Sequence, residues 1–428
     1  MNTIKELFAT MLLLLLYSTA IANTNELSSS IVNNKQVMWK EDIEHNLTNN
    51  SNLNVSKAYY DKGIECARLA KHQDAIKNYD LAIKYQPNYI EAYLEKGYSL
   101  AQLAKYQEAV ENYNLAIKYK PDFIPAYYNK GISLIKLGKY QDAIENYNRV
   151  ITYQSNDAES YNNKGYSLAQ LAKYQEAVEN YNLAIKYKPN FITAYYNKGI
   201  SLIALRKYQE AIRNFDLAIK YKFDDAELYY NKGVAFEKLG HYQEAIKNFN
   251  LTIKYQPDYA KAYFGKGVAY AELGNYQDAI ENYDLFIKYK SDDAEGYNNN
   301  KGIALEGLGR SHEAIKNYDL AIKYKPDFVL PYHNKGIAFN KLGKYHEAVE
   351  NFNFAIKHQP YAAEAYLKKG CSLALLTKYQ EAIENFDLAI QYKPDLAESY
   401  TEKGKVLQKL GKRQEAIELF NKAKSLSK

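Results

Sequence analysis

Sulfur and indole are almost missing: 428 residues hold two cysteines, three methionines and one tryptophan, Trp39. With only Cys66 and Cys371, far apart in the chain, a disulfide framework is excluded as the source of stability. The seven histidines (His45, His72, His241, His312, His333, His346, His358) have no Cys or carboxylate partners at metal-ligand spacing, so no metal site is expected. Phosphate-cradling glycine loops, nucleophile elbows and metalloprotease helix motifs are lacking too, and no cofactor is expected. Charge of one sign is also lacking. The 56 basic and 50 acidic residues are interspersed, with a net charge of +6 and no basic stripe of the kind that reads nucleic acid.

Long apolar runs are confined to the start. Residues 1–22 carry Lys5, an apolar stretch from Leu7 to Tyr17 and small residues ending Ala20-Ile21-Ala22, the pattern of a secretory signal peptide. The run is too short to span a bilayer, and Asn23 rather than cysteine follows it, so the mature chain is expected to be exported, periplasmic or secreted, without a lipid anchor. Residues 23–55 are rich in Asn and Ser and are expected to be mostly disordered.

What is abundant is tyrosine, 45 residues, and it recurs with a period. Gly63, Gly97, Gly131, Gly165, Gly199, Gly233 and Gly267 are spaced by 34, and after one step of 35 come Gly302, Gly336, Gly370 and Gly404. With this glycine as position 8 of the unit, position 4 is Tyr in nearly every copy, position 14 is Leu and position 20 is Ala. Position 24 is Tyr or Phe, and position 32 is Pro in seven copies. Positions 4, 8, 11 and 14 share one face of a first helix, and 20, 21, 24, 27 and 28 one face of a second. The turn between them, such as Gly138-Lys139-Tyr140, is short enough to force an antiparallel pair.

This pattern resembles the tetratricopeptide repeat, with its aromatic residues at 4 and 24, Gly at 8, Ala at 20 and Pro at 32. The resemblance covers 56–428 in eleven copies and departs from the family at position 7, which is Lys throughout. It implies an all-α, right-handed superhelical solenoid of about 22 helices, whose first helices line the concave side. Lys at position 7 is expected to lay its stem over apolar neighbours with its ammonium in water. The acid at position 19 and the base at 29 suit the second helix's dipole. Asn at position 23 is either a ladder between stacked helices or the product of copying. Copying is evident, since residues 96–135 and 164–203 differ only at Asp122/Asn190 and Pro125/Thr193. The extra residue in Tyr297-Asn298-Asn299-Asn300-Lys301-Gly302 predicts a π-type turn, the alternative being Tyr297 displaced into the loop. The last repeat, with Lys405, Lys409, Lys412 and Arg413, reads as a polar cap with no catalytic domain expected beyond it.

The function expected of such a chain is a non-catalytic scaffold that binds a protein or extended peptide, as a monomer without a membrane span. A helical-repeat RNA binder would need small polar residues at its reading positions, whereas positions 5 and 9 are mainly aromatic or aliphatic. The same residues argue against a carboxylate clamp, which needs Lys and Asn there. The predicted partner-binding groove lies along positions 5, 9 and 12 of the first seven repeats: Tyr60, Tyr98, Tyr128, Ile132, Tyr166, Tyr196, Ile200, Tyr230 and Phe264. Position 12 is apolar early on (Ala101, Ile135, Ala169, Ile203), while Glu237, Glu272 and Glu306 interrupt the later face.

Overall fold

The computed structural model describes residues 52–222, 224–290 and 294–427. The signal peptide and nearly all of the segment 23–55 lie outside them. The described residues contain twenty-two helices and no strand. Helix α1 (52–68) and α2 (His72–Tyr85) form repeat 1, and the pattern runs on to α21 (Ala397–Lys409) and α22 (Arg413–Leu426) in repeat 11. Helix α1 starts at 52, so the ordered array begins four residues before the expected boundary at 56. The chain packs as two compact bodies divided between Ala172 and Lys173.

The contact that sets the spacing within a repeat is glycine against ring. A Cβ on Gly131 would stand 2.7 Å from Cζ of Tyr147, and one on Gly97 2.5 Å from Cε1 of Tyr113. Both rings are almost completely buried, so they have nowhere to go. In the second body, Gly199 meets Phe215 and Gly302 meets Tyr318 in the same way. Ala109, Tyr113 and Ala116 of the second helix and Ala92, Gly97 and Leu100 of the first complete the buried stripe. Position 14 lies at its edge: Leu137, Leu205, Leu239 and Leu273 are partly buried and pack against the core, but not every copy does. Leu103 is 39% exposed, because position 14 falls at the helix C-cap, where the chain is already turning.

That turn explains the second recurrent glycine. After the first helix of repeat 3, the Gly138 N–H donates to Ile135 O and the Lys139 N–H to Leu134 O, a Schellman closure with Gly138 at φ +71°. Ala104, Arg206 and Thr377 hold the same place at φ +58° to +64° in other repeats, so this glycine is a convenience rather than a requirement.

Successive repeats are tied by the tyrosine of position 4. Tyr93 donates to Pro87 O, Tyr127 to Pro121 O and Tyr161 to Ser155 O in the first body, at 3.0 to 3.3 Å. In the second body Tyr195, Tyr263, Tyr332, Tyr366 and Tyr400 do the same to Pro189, Pro257, Pro326, Pro360 and Pro394. Proline thus ends one helix and presents a carbonyl to the next repeat.

A second tie corrects the expectation of a water-exposed ammonium at position 7. Lys96 pairs with Asp80, Lys232 with Asp216, Lys301 with Asp284, Lys335 with Asp319 and Lys403 with Asp387, all at 2.5 to 2.6 Å. Each pair links position 7 to position 25 of the preceding repeat. Where position 25 is Asn (Asn114, Asn182, Asn250, Asn353), burial pulls the ammonium pKa of Lys130, Lys198, Lys266 and Lys369 below its ordinary value.

Two further expectations are revised. The buried Asn of position 23 makes no ladder between helices: Asn112 Nδ2 donates to Glu108 O, and Asn146 Nδ2 to Asp142 O, one turn back in the same helix. Nor is there a π turn in repeat 8. Helix α15 (Ala294–Gly307) is α-helical throughout and has 14 residues where the other first helices described by their bounds have 13. Counting back from Gly302 in a regular helix puts Asn298 at position 4 and Tyr297 at position 3, a place held elsewhere by residues such as Ala92 or Ser160. Tyr297 is buried within the helix, not displaced into a loop, and its hydroxyl accepts from Asn298 Nδ2 at 3.2 Å. The extra residue is absorbed at the helix start, where a longer first turn disturbs no packed ring.

Two measurements test this account. In Gly131→Ala, overpacking of about 1–3 kcal/mol outweighs the gain of about 1 kcal/mol in helix propensity. Its urea midpoint should fall more than that of Gly138→Ala, and the reverse order would contradict the ring contact. Asn114→Asp should place a carboxylate opposite Lys130 and stabilise by up to about 1 kcal/mol, as befits a half-exposed pair. The gain should be present at pH 7 and vanish as the new carboxylate is protonated, below about pH 3; an equal midpoint at pH 7 would discount the tie.

Candidate binding face

Positions 5 and 9 of the first helices flank the glycine contact at position 8. In the first body, the Tyr60 ring lies 6.0 Å from Tyr79 and 5.0 Å from Tyr89, and the Tyr128 ring stands edge-on to Tyr147 at 6.1 Å. Tyr98 is 44% exposed, Ile132 36% exposed and Tyr166 half-buried. In the second body, Tyr196 lies 6.4 Å from Phe215, Tyr230 5.9 Å from Phe249 and 5.0 Å from Tyr259, and Phe264 5.9 Å from Tyr283. Ile200 is 37% exposed.

The position-5 aromatics are therefore half built into the core, each resting on the position-24 ring of its own repeat. The sequence argument treated this face as separate from packing, and for position 5 the structure corrects that. A side chain as long as tyrosine, set one residue from the stripe, reaches over its edge. Position 9 remains the open part of the face, with Tyr98, Ile132 and Ile200 presenting apolar surface to solvent.

Electrostatics follow the burial. The Tyr60 phenol is pushed up to about 12, first by burial and then by Glu95. Tyr196 is also raised, by burial and then by its hydrogen bond to Glu227, whose Oε1 accepts from the hydroxyl at 2.7 Å. Tyr128 is raised by burial and then by Asp157 and Glu159. All three stay neutral donors at physiological pH.

Sequence reasoning missed position 34, which decides what covers position 5. Tyr89 and Tyr259 there stack on Tyr60 and Tyr230. In repeat 3 the residue is Asp157, whose carboxylate is spent on capping the next helix by accepting from Ser160 N at 3.1 Å. With no ring over it, Tyr128 opens onto a cavity of about 300 Å³ that Val150, Gln154 and Asp157 help to line. Asp225 caps through Glu227 N in the second body, where Tyr196 turns to Glu227 instead. The signal was legible: Asp157 follows Ser155 and Asp225 follows Phe223, whereas Pro87, Pro121, Pro189 and Pro257 precede an aromatic at 34.

Position 6 was missed as well. Asn231 Nδ2 donates to Glu227 O at 2.9 Å and lies 3.5 Å from the Tyr196 hydroxyl, and Asn334 Nδ2 donates to Asn299 Oδ1 at 2.9 Å. His312 and His346 are exposed, and Cys66 and Cys371 are free thiols. Among the described residues no three His, Cys, Asp or Glu side chains cluster to hold a metal ion, and no helix is long and apolar enough to cross a membrane.

No curated protein matches the chain in sequence. Among solved structures, YrrB, described as a TPR protein with an unusual peptide-binding site, is 23% identical over 44% of this chain and 97% of its own, with a TM-score of 0.40. Yeast Tom70 is 19% identical over 87% of this chain and 85% of its own, with a TM-score of 0.42. A tetratricopeptide repeat protein from Parabacteroides merdae is 18% identical over 59% and 99%, with a TM-score of 0.45. Family sequence models are more direct. Four, all described as tetratricopeptide or TPR repeats, match 97–138, 124–157, 165–205, 196–251, 235–295, 296–328, 333–398 and 397–428. Joined, these segments leave little of the helical array unmatched, and the chain belongs to the tetratricopeptide-repeat family.

Proposed function

We propose that the chain is an exported, non-catalytic scaffold whose first-helix face in the early repeats holds an extended, largely apolar segment of another protein. The observation that carries this reading lies in the first body: Tyr98 and Ile132 at position 9 are exposed and Tyr166 half-buried, beside half-buried rings at position 5. Packing accounts for the rings; it does not account for apolar side chains left in water at the same place in successive repeats. Tyr128 and the uncovered cavity beside it give such a segment a place to seat one bulky side chain. Export is read from residues 1–22 alone.

The partner is sought by capture on the chain without residues 1–22 and identified by what is retained. Replacing Tyr98, Ile132 and Tyr166 together by Ser should then weaken its Kd by at least about tenfold, as loss of apolar hot spots does, with unchanged helix content. Tyr128→Ala is the wrong variant for this purpose, since it also uncovers Tyr147. Binding that survives the triple replacement would refute the face. Affinity should also change little between 50 and 200 mM salt (about the range over which nucleic-acid binding collapses), and a steep loss would indicate a nucleic-acid ligand instead.

A further inference from the structure

A second site lies in repeats 8 and 9, outside the face just described. Glu306 stands at position 12 of repeat 8, where most repeats carry a small or apolar residue. Its side chain is only 10% exposed. One oxygen, Oε2, accepts from Lys341 Nζ at 2.7 Å, while the other, Oε1, is buried with no partner. An unpartnered carboxylate oxygen out of water is costly and seeks a donor.

The space for that donor is present. A cavity of about 150 Å³ is lined by Ile303, Glu306, Tyr318, Asn334, Ile337 and Lys341. Asn334 gives one N–H of its Nδ2 to Asn299 and can offer a ligand its carbonyl oxygen. Lys341 is half-exposed and approaches from solvent, held by Glu306 alone. A ligand group suited to this cavity must carry several donors and no acceptor, bear positive charge, and tolerate the apolar surfaces of Ile303 and Ile337. An arginine guanidinium has those properties: a planar fork of donors, always charged and weakly hydrated on its faces. A lysine ammonium would need a fuller polar shell than two isoleucines leave it.

We propose that the cavity between Glu306 and Asn334 is a subsite for an arginine side chain of a partner protein, which bonds to Glu306 Oε1 and takes over the carboxylate from Lys341. The Tyr318 phenol, raised by burial and then by Glu306, agrees with a carboxylate next to it.

The test uses the full chain with labelled isoleucine methyl groups, titrated with acetyl-Gly-Arg-Gly-amide and with the citrulline, lysine and norleucine counterparts. The arginine peptide should shift the methyl resonances of Ile303 and Ile337 in a saturable way. Citrulline, which keeps the shape and loses the charge, should bind at least about tenfold more weakly, the scale of one charge-assisted bond. Glu306→Gln should abolish the difference between the two. Lys341→Met should tighten the arginine peptide by several-fold, because it removes a competitor; a Glu306 that serves only to anchor Lys341 would give no tightening. Equal binding of arginine and citrulline, equal binding of arginine and lysine, or no shift of either methyl at any soluble concentration would each overturn the assignment. The last result would mean that the cavity holds water only. None of these outcomes bears on Tyr98, Ile132 and Tyr166, so the subsite and the early face stand or fall separately.

Discussion

A hydrogen atom in place of a methyl group, at ten of the repeat glycines, sets how closely the two helices of a repeat approach. Gly131 and its equivalents let an aromatic ring lie against the backbone of the first helix, at a distance no Cβ would permit. Because the ring is buried there, the depth at which the two helices nest is fixed by a contact between backbone and π-face, which varies little in size from copy to copy. Alanine at position 20 then follows from that depth, whereas position 27 admits Ala116, Val150, Thr252 and even Phe286, all buried.

With spacing fixed inside each repeat, variation is left to the places that do not touch it. Position 34 holds a ring, an aspartate, Ala362 or Leu396, position 25 Asp or Asn, and position 12 an apolar residue, Glu, Asn340 or Gln408. Each change alters the surface or the joint between repeats without altering the repeat. Tyr128 is uncovered because Asp157 replaces a ring, and the Glu306 cavity exists because a carboxylate stands where most repeats keep alanine or isoleucine. New chemistry enters such an array by substitution at a tolerant position, not by remodelling of the fold.

The architecture was legible in the sequence because a period of 34 repeated eleven times leaves few alternatives. Gly131, Tyr147 and Ala143 could each be assigned a packing role from spacing alone. The face was legible only in part. Spacing gives the direction in which a side chain leaves the helix but not its reach, so Tyr60, Tyr128, Tyr196 and Tyr230 read as free when their rings rest on position 24. Constancy misled in the same way. Leu at position 14 and Asn at position 23 are invariant or nearly so, yet Leu103 is exposed at a helix C-cap while Leu137 packs against the core, and Asn112 bonds one turn back in its own helix. The ties through Tyr93 and Lys96 were invisible because each joins two residues of different repeats, and a single-repeat alignment does not show what faces across a joint.

The lysine ties make the joints unequal. Lys96, Lys232, Lys301, Lys335 and Lys403 cross their joints to a carboxylate, whereas Lys130, Lys198, Lys266 and Lys369 do not. In an array whose stability is a sum of repeat and nearest-neighbour terms, the lowest neighbour terms decide where cooperativity breaks. A chain loaded in tension would then part first at the joints beside Asn114, Asn182, Asn250 and Asn353, yielding in blocks of two or three repeats. Under load, a molecule built from near-identical copies would come apart in a fixed order, written in a choice between aspartate and asparagine.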